Sequence, residues 1–106
     1  MRKWIIRYWA NESGKSPIEK WIHKLTEEQA MLVTKQLRML EELGNELQLP
    51  HSRSLGKGLF ELRERRFGYR LYYCFQEDKL IILLVTGDKT SQDRDIKTAY
   101  KRLEEL

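Results

Sequence analysis

Three runs of strand-forming residues, Leu59 to Arg65, Tyr69 to Gln76 and Leu80 to Thr86, follow one another with only Arg66-Phe67-Gly68 and Glu77-Asp78-Lys79 between them. Connections this short leave no room for a crossover helix, so consecutive runs must fold back on one another as antiparallel hairpins. The last run begins Leu80-Ile-Ile-Leu-Leu-Val85 and is apolar on both faces, which predicts an interior strand covered on both sides. With 106 residues there is material for one domain around one core, so 1–106 is read as a single domain.

The covering layers are also legible. Arg2 to Trp9 is aromatic and β-branched and runs into the breakers Asn11-Glu-Ser-Gly14, which predicts a first strand. Ser16-Pro17-Ile18-Glu19 and Thr26-Glu27-Glu28-Gln29 each carry the residues of a helix N-cap, so two helices in a hairpin come next. Ala30, Val33, Leu37 and Leu40 form the core stripe of the second helix, with Gly44 at its C-terminal cap. Asn45 to Pro50 loses periodicity and is read as a connector. Thr90 to Leu106 places Ile96, Ala99, Tyr100 and Leu103 on one helical face, with Asp93 and Asp95 in the first turn. The expected order is β-α-α-β-β-β-α, an α+β domain.

Apolar residues make up 41% of the chain, so its mean hydropathy of −0.67 reflects a dense charged surface rather than a missing core. No apolar run approaches the roughly 18 residues that cross a bilayer, and Met1-Arg-Lys-Trp-Ile-Ile-Arg7 is too interrupted for a signal peptide; a cytoplasmic protein with no membrane partner is expected. The lone Cys74 excludes an internal disulfide, and its strand context favours an inert thiol. His23 and His51 lack metal-ligand spacing, so neither metal nor cofactor is expected. Trp4, Trp9 and Trp21 are read as packing residues.

The net charge is +4. Between His51 and Arg70 alone, Arg53, Lys57, Arg63, Arg65, Arg66 and Arg70 face only Glu61 and Glu64, so this stretch carries as much net charge as the whole chain. Strand alternation sends Phe60 and Leu62 to one face and Glu61, Arg63 and Arg65 to the other; on the next run Arg70, Tyr72 and Cys74 oppose Leu71, Tyr73 and Phe75. Pairing the two runs gathers Arg63, Arg65, Arg70 and Tyr72 on a common face. Like charges across a ladder repel by a few tenths of a kcal/mol or more. Two readings follow: an anionic visitor such as phosphate, which the planar guanidinium fork grips bidentately, or a solvated face paired with Glu61, Glu64 and the acids of the last helix. Lys89 follows the buried strand and precedes a helix N-terminus, a second edge for the same site, with Gly87 read as allowing a sharp turn there. Gly87-Asp-Lys-Thr90 is not a P-loop, because Leu83 stands where the upstream glycine belongs.

In order, Lys57-Gly-Leu-Phe-Glu-Leu-Arg63, Gly68-Tyr-Arg-Leu-Tyr-Tyr73 and Leu83-Leu-Val-Thr-Gly-Asp-Lys-Thr-Ser-Gln-Asp-Arg-Asp-Ile96 resemble the RelE/ParE toxin superfamily, and within it the phage-derived, HigB-like "addiction module killer protein" branch. The resemblance runs from the first strand to the last helix. It implies an antiparallel RelE-like sheet flanked by an N-terminal helical hairpin and a C-terminal helix. It further implies a toxin that cuts mRNA on the ribosome without a metal, restrained by a helix-turn-helix antitoxin.

In that chemistry the RNA's own 2′-hydroxyl attacks the adjacent phosphate, so the protein must supply cations for the phosphorane, a base and an acid. The resemblance assigns Arg63, Arg70 and Lys89 to the scissile phosphate, and Arg65 and Arg66 would then track flanking phosphates; Lys57 and Tyr72 on the basic stretch are further RNA-binding candidates, Tyr72 being read as an alternative proton carrier or, more simply, as a half-buried strand tyrosine. Where relatives carry a tyrosine or histidine near the chain end, this sequence has Gln92, Asp93 and Asp95. The two aspartates are candidate acid or base residues, although a helix N-terminus and nearby arginines favour their charged form and hence roles as caps or arginine partners. Inhibition of DNA gyrase, as in ParE-type relatives, and non-catalytic RNA binding are the alternatives.

Overall fold

A computed structural model describes residues 3–106; the expected start of the first strand at Arg2 lies outside them. The elements are β1 (Ile5–Tyr8), α1 (Pro17–His23), α2 (Glu27–Leu43), β2 (Ser52–Gly56), β3 (Leu59–Glu64), β4 (Tyr69–Gln76), β5 (Leu80–Asp88) and α3 (Gln92–Glu104). One five-stranded sheet runs in the order β1-β5-β4-β3-β2, antiparallel except for the parallel β1–β5 pair. The meander is as expected, and β5 is an interior strand.

The additional strand is β2. Ser-Arg-Ser-Leu-Gly has little β-branched or aromatic character, and it becomes a strand because β3 offers it an open edge, pairing Arg53 with Glu61 and Ser52 with Leu62. Gly56, Lys57 and Gly58, all at positive φ, make the turn between β2 and β3.

Both helical caps form. Ser16 Oγ accepts from Glu19 N at 3.2 Å. Thr26 Oγ1 accepts from Gln29 N at 3.2 Å while Gln29 Oε1 accepts from Thr26 N at 2.9 Å. Each such cap contributes about 1 kcal/mol. α2 ends at Gly44, whose φ of 50° and contact with the Trp4 indole, 1.9 Å from where a Cβ would sit, exclude any larger residue.

α1 and α2 bury Ile18, Val33 and Leu40 against Leu62, Leu71, Tyr73, Ile81 and Leu83 on one sheet face. α3 buries Ala99 against Leu59, Tyr72, Cys74, Leu84 and Val85 on the other. Burial raises the Cys74 thiol, consistent with an inert side chain. α3 is fastened at both sides of the sheet: Arg102 lies 3.9 Å over the Trp9 ring and donates to Leu84 O at 2.6 Å, while Tyr100 Oη donates to Leu55 O at 2.8 Å. Its first turn lies beside Glu61, so Arg63 and Arg70 are left at the uncovered rim of this face. Among the described residues no helix is long and apolar enough to cross a membrane.

Candidate active site

The β3–β4 register places Arg63 directly opposite Arg70. Two guanidinium groups across a ladder would repel, and Glu61, two residues before Arg63 on the same face, offsets this. Its side chain is 0% exposed. Oε1 accepts from Arg53 Nε at 3.0 Å and lies 3.8 Å from Arg63 Nε. Oε2 accepts from Gln92 Nε2 at 2.9 Å and lies 3.5 Å from Arg70 Nε. One carboxylate therefore serves three arginines and remains outnumbered.

Arg70 is the least satisfied member. Its side chain is only 11% exposed, yet Nε and Nη1 are buried without a hydrogen-bond partner among the described residues. The 3.5 Å approach to Glu61 is a Coulombic contact whose geometry falls short of a hydrogen bond. Buried donors left open cost free energy unless an acceptor arrives. The opening beside them is a depression of about 200 Å³, lined by Arg63, Arg65, Gly68, Tyr69, Arg70 and Lys89, with the Glu64 carboxylate also on its wall. Four cations thus converge on one small volume, where an oxyanion's several acceptors match the free donors.

Carboxylates brace both rim loops. Glu64, buried at the end of β3, accepts from Arg66 N at 2.8 Å and Phe67 N at 2.9 Å, closing the turn that carries Arg65. Asp88 Oδ1 accepts from Thr90 Oγ1 at 2.6 Å, Thr90 N at 2.9 Å and Ser91 N at 3.2 Å, folding the loop that presents Lys89. The hydrogen bonds from Thr90 and Ser91 hold the Asp88 carboxyl below its usual range. A depressed carboxylate gives support that is complete above the ordinary value of 3.8 and is lost as pH falls through the lower folded value. Exchange of the Thr90 and Ser91 amides should accordingly stay slow from neutral pH down to about 4 and quicken below it, which hydrogen exchange by NMR will show.

Gly87 acts differently from the expected turn. It lies within β5, opposite Arg70, and the missing side chain makes room for Asp95: a Cβ here would lie 1.9 Å from Asp95 Oδ2. Buried Asp95 accepts from Ser91 Oγ at 2.5 Å and seats the first turn of α3 on the sheet.

Several expected site residues lie elsewhere. Lys57 occupies the β2–β3 turn at the opposite end of β3, about 20 Å from the depression at strand rise. Arg66 turns away to pair with Glu28 at 2.7 Å and covers the Phe67 ring. Arg65 belongs to the turn rather than to the strand face, though it still reaches the rim. Asp93 is exposed on α3, and neither it nor Asp95 lines the depression. Tyr72 is 0% exposed beneath α3, because that helix covers the cationic face at this point. Desolvation, then the Glu61 and Asp95 carboxylates, push its phenol far above the ordinary value, opposed by Arg70. Its phenol therefore stays protonated and lies away from the surface that RNA could reach. Tyr72→Phe, which removes a buried hydroxyl near Glu61 that makes no well-formed hydrogen bond among the described residues, should change thermal stability by less than about 1 kcal/mol and leave RNA cleavage at the wild-type level, as a melting curve and a cleavage assay will report.

The sequence reading missed Glu61 as the hub, together with its donors Arg53 and Gln92. Alternation already placed Glu61 among the arginines; its complete burial depends on β2 and α3 closing over it. Among the described residues no three His, Cys, Asp or Glu side chains are grouped as a metal site would require.

The family model of the phage derived protein Gp49-like family matches residues 20–104. The chain belongs to the Gp49-like family. A Haemophilus influenzae relative, described as an uncharacterized protein, is 47% identical over 55 residues, 51% of this Gp49-like chain and 56% of the relative. The match thus spans little more than half of that relative's length. Among solved structures, a double arginine-to-alanine mutant of the E. coli toxin RelE in the free state superposes with a TM-score of 0.68 over 94% of this chain and 97% of that one, at 18% identity. The crystal structure of the isolated E. coli RelE toxin in its P21 form gives 0.56 over 94% and 98%, also at 18% identity. The Gp49-like chain therefore has the RelE fold.

Proposed function

We propose that this Gp49-like chain is the toxin of a type II toxin–antitoxin module, of the HigB-like branch, and acts as a metal-independent, ribosome-dependent mRNA endoribonuclease that inhibits translation. The observation that carries this reading is the Arg63–Arg70 pair opening, with Arg65 and Lys89, into one depression where Arg70 keeps unsatisfied donors. In the proposed reaction the 2′-hydroxyl gives up its proton as its oxygen attacks the adjacent phosphorus, the bond to the 5′-oxygen breaks and that oxygen takes up a proton, and a 2′,3′-cyclic phosphate and a 5′-hydroxyl result. Arg63 and Arg70 hold the non-bridging oxygens as negative charge grows on them, a preorganised contribution that needs no metal. Lys89 follows β5, on the side of Arg70 away from Arg63, where it serves the leaving oxygen.

Primer extension on a message being translated tests the proposal: cuts within the coding region are expected with the wild-type chain. Uncut message together with gyrase-dependent DNA breaks would move the reading to a ParE-type inhibitor. That second reading draws on one observation: apart from Tyr69, the proton carrier lining the depression is Glu64, whose oxygens already accept from the Arg66 and Phe67 amides, and inhibition by protein contact needs no proton carrier. A purely docking RNA-binding module is separated by Arg70→Lys, which keeps the charge but loses the fork; retained growth arrest would favour docking. The partner implied is a helix-turn-helix antitoxin that covers the cationic rim or blocks its entry to the ribosome. If Arg65 tracks a flanking phosphate, Arg65→Ala should reduce the salt slope of binding to single-stranded RNA by about 0.7, read from dissociation constants at several salt concentrations.

A further inference from the structure

We infer that Glu61 is a positioning residue for the phosphate site, a buried carboxylate that sets the arginine fan in its binding geometry before any RNA arrives. The inference rests on the proposed reading of the depression. Glu61 is fully buried and so does not meet substrate, but both of its oxygens are committed: Oε1 to Arg53 and Arg63, Oε2 to Gln92 and Arg70. The arrangement joins three elements, since Arg53 comes from β2, Arg63 and Arg70 from the β3–β4 hairpin, and Gln92 from the first turn of α3. Guanidinium groups without this carboxylate would repel one another and splay toward water, and each would have to be ordered again when the phosphate bound.

The partner sets are unequal in a way that suits this role. Arg53 makes a hydrogen bond to Glu61 at 3.0 Å, whereas Arg63 and Arg70 stand at 3.8 and 3.5 Å. Arg53 and Gln92 fix the carboxylate; the carboxylate steers Arg63 and Arg70 while leaving donors of Arg70 open. A local pair of charges that is close but not closed preorganises the arginines without competing fully with the phosphate.

Glu61→Gln separates orientation from charge, because it keeps the shape and removes an anion from the site. Wild type and variant are compared in steady-state cleavage of ribosome-bound message and in NMR of arginine Nε–H groups, with inorganic phosphate as the added ligand. The variant should lose kcat roughly 10- to 100-fold, as is usual when a supporting residue behind an active site is removed. KM should change little, because the cost of ordering the arginines again opposes the attraction of a more positive site, and the protected Nε–H signals of Arg63 and Arg70 should merge with those of solvent-exposed arginines. Glu61→Asp, which keeps the charge, should recover part of the lost kcat. Wild-type kcat in Glu61→Gln with unchanged Nε–H signals would overturn the inference, as would parallel losses of kcat, substrate affinity and thermal stability. If Glu61→Gln does not fold, Gln92→Ala serves instead: it removes one donor to the carboxylate, and a several-fold lower kcat at unchanged KM is expected, unchanged kcat being the contrary result. Failure of the underlying reading looks different: a wild-type chain that neither cuts RNA nor shifts its Arg70 signals with inorganic phosphate would remove the site itself.

Discussion

Arg70→Ala is expected to slow RNA cleavage roughly 100- to 1,000-fold while leaving the protein at least as stable as wild type. The two effects part because of how Arg70 is held. It is nearly buried, its Nε and Nη1 lack partners, and it stands opposite another arginine. Removing it relieves a like-charge pair and two open donors, and Glu61 keeps Arg53, Arg63 and Gln92. A well-paired buried arginine would behave the other way, since its loss strands a charge at a cost of about 3–5 kcal/mol. For the reaction, loss of a preorganised donor to the developing oxyanion lowers the rate roughly 100- to 1,000-fold. Thermal melting and a ribosome-coupled cleavage assay on the same preparation check both halves. A large fall in stability would mean that Arg70 belongs to the scaffold instead.

Gly87→Ala should affect both scaffold and site. An added methyl would meet Asp95 Oδ2 at 1.9 Å and Ser91 Oγ at 2.7 Å, and neither can retreat easily, because Asp95 is buried and Ser91 opens α3. Overpacking of this kind costs about 1–3 kcal/mol. The relief available is a shift of the first turn of α3 away from β5, which carries Gln92 away from Glu61 and displaces Lys89 on the adjoining loop. Cleavage should therefore fall by more than the folded fraction explains. A denaturant titration alongside kcat, with kcat scaled to folded protein, separates the contributions; a variant with wild-type stability would show that the Asp95–Gly87 contact yields freely.

The central geometry was legible in part in the sequence because a local rule acts there. Period-two alternation placed Arg63 and Arg70 on a common face, whereas setting them directly opposite took a turn of four residues, 65–68, one longer than the expected Arg66-Phe67-Gly68. What else remained hidden depends on distant segments. Ser52–Gly56 lacks strand character of its own and forms β2 because the edge of β3 is open. Tyr72 alternates onto the cationic face, but α3 crosses that face and buries it. Lys57 and Arg66 added to the charge count between His51 and Arg70, yet a strand spreads its charges along its length and a turn redirects them, so the count overstated the patch. Gly87 read as a turn glycine and is a space kept for Asp95. The carboxylate at the hub stood in plain view as Glu61; its burial required β2 and α3 together.

The most direct test of the account is the chemistry of the cut ends. Message fragments recovered from a translation reaction with the wild-type chain, in the presence of a chelator, should end in 2′,3′-cyclic phosphate and begin with 5′-hydroxyl, as mass spectrometry of the termini will show, and Arg70→Ala should yield at least about 100-fold fewer in the same time. Message left whole by the active toxin, or fragments carrying 5′-phosphate and 3′-hydroxyl ends, would contradict attack by the RNA's own 2′-oxygen at the Arg63–Arg70 site.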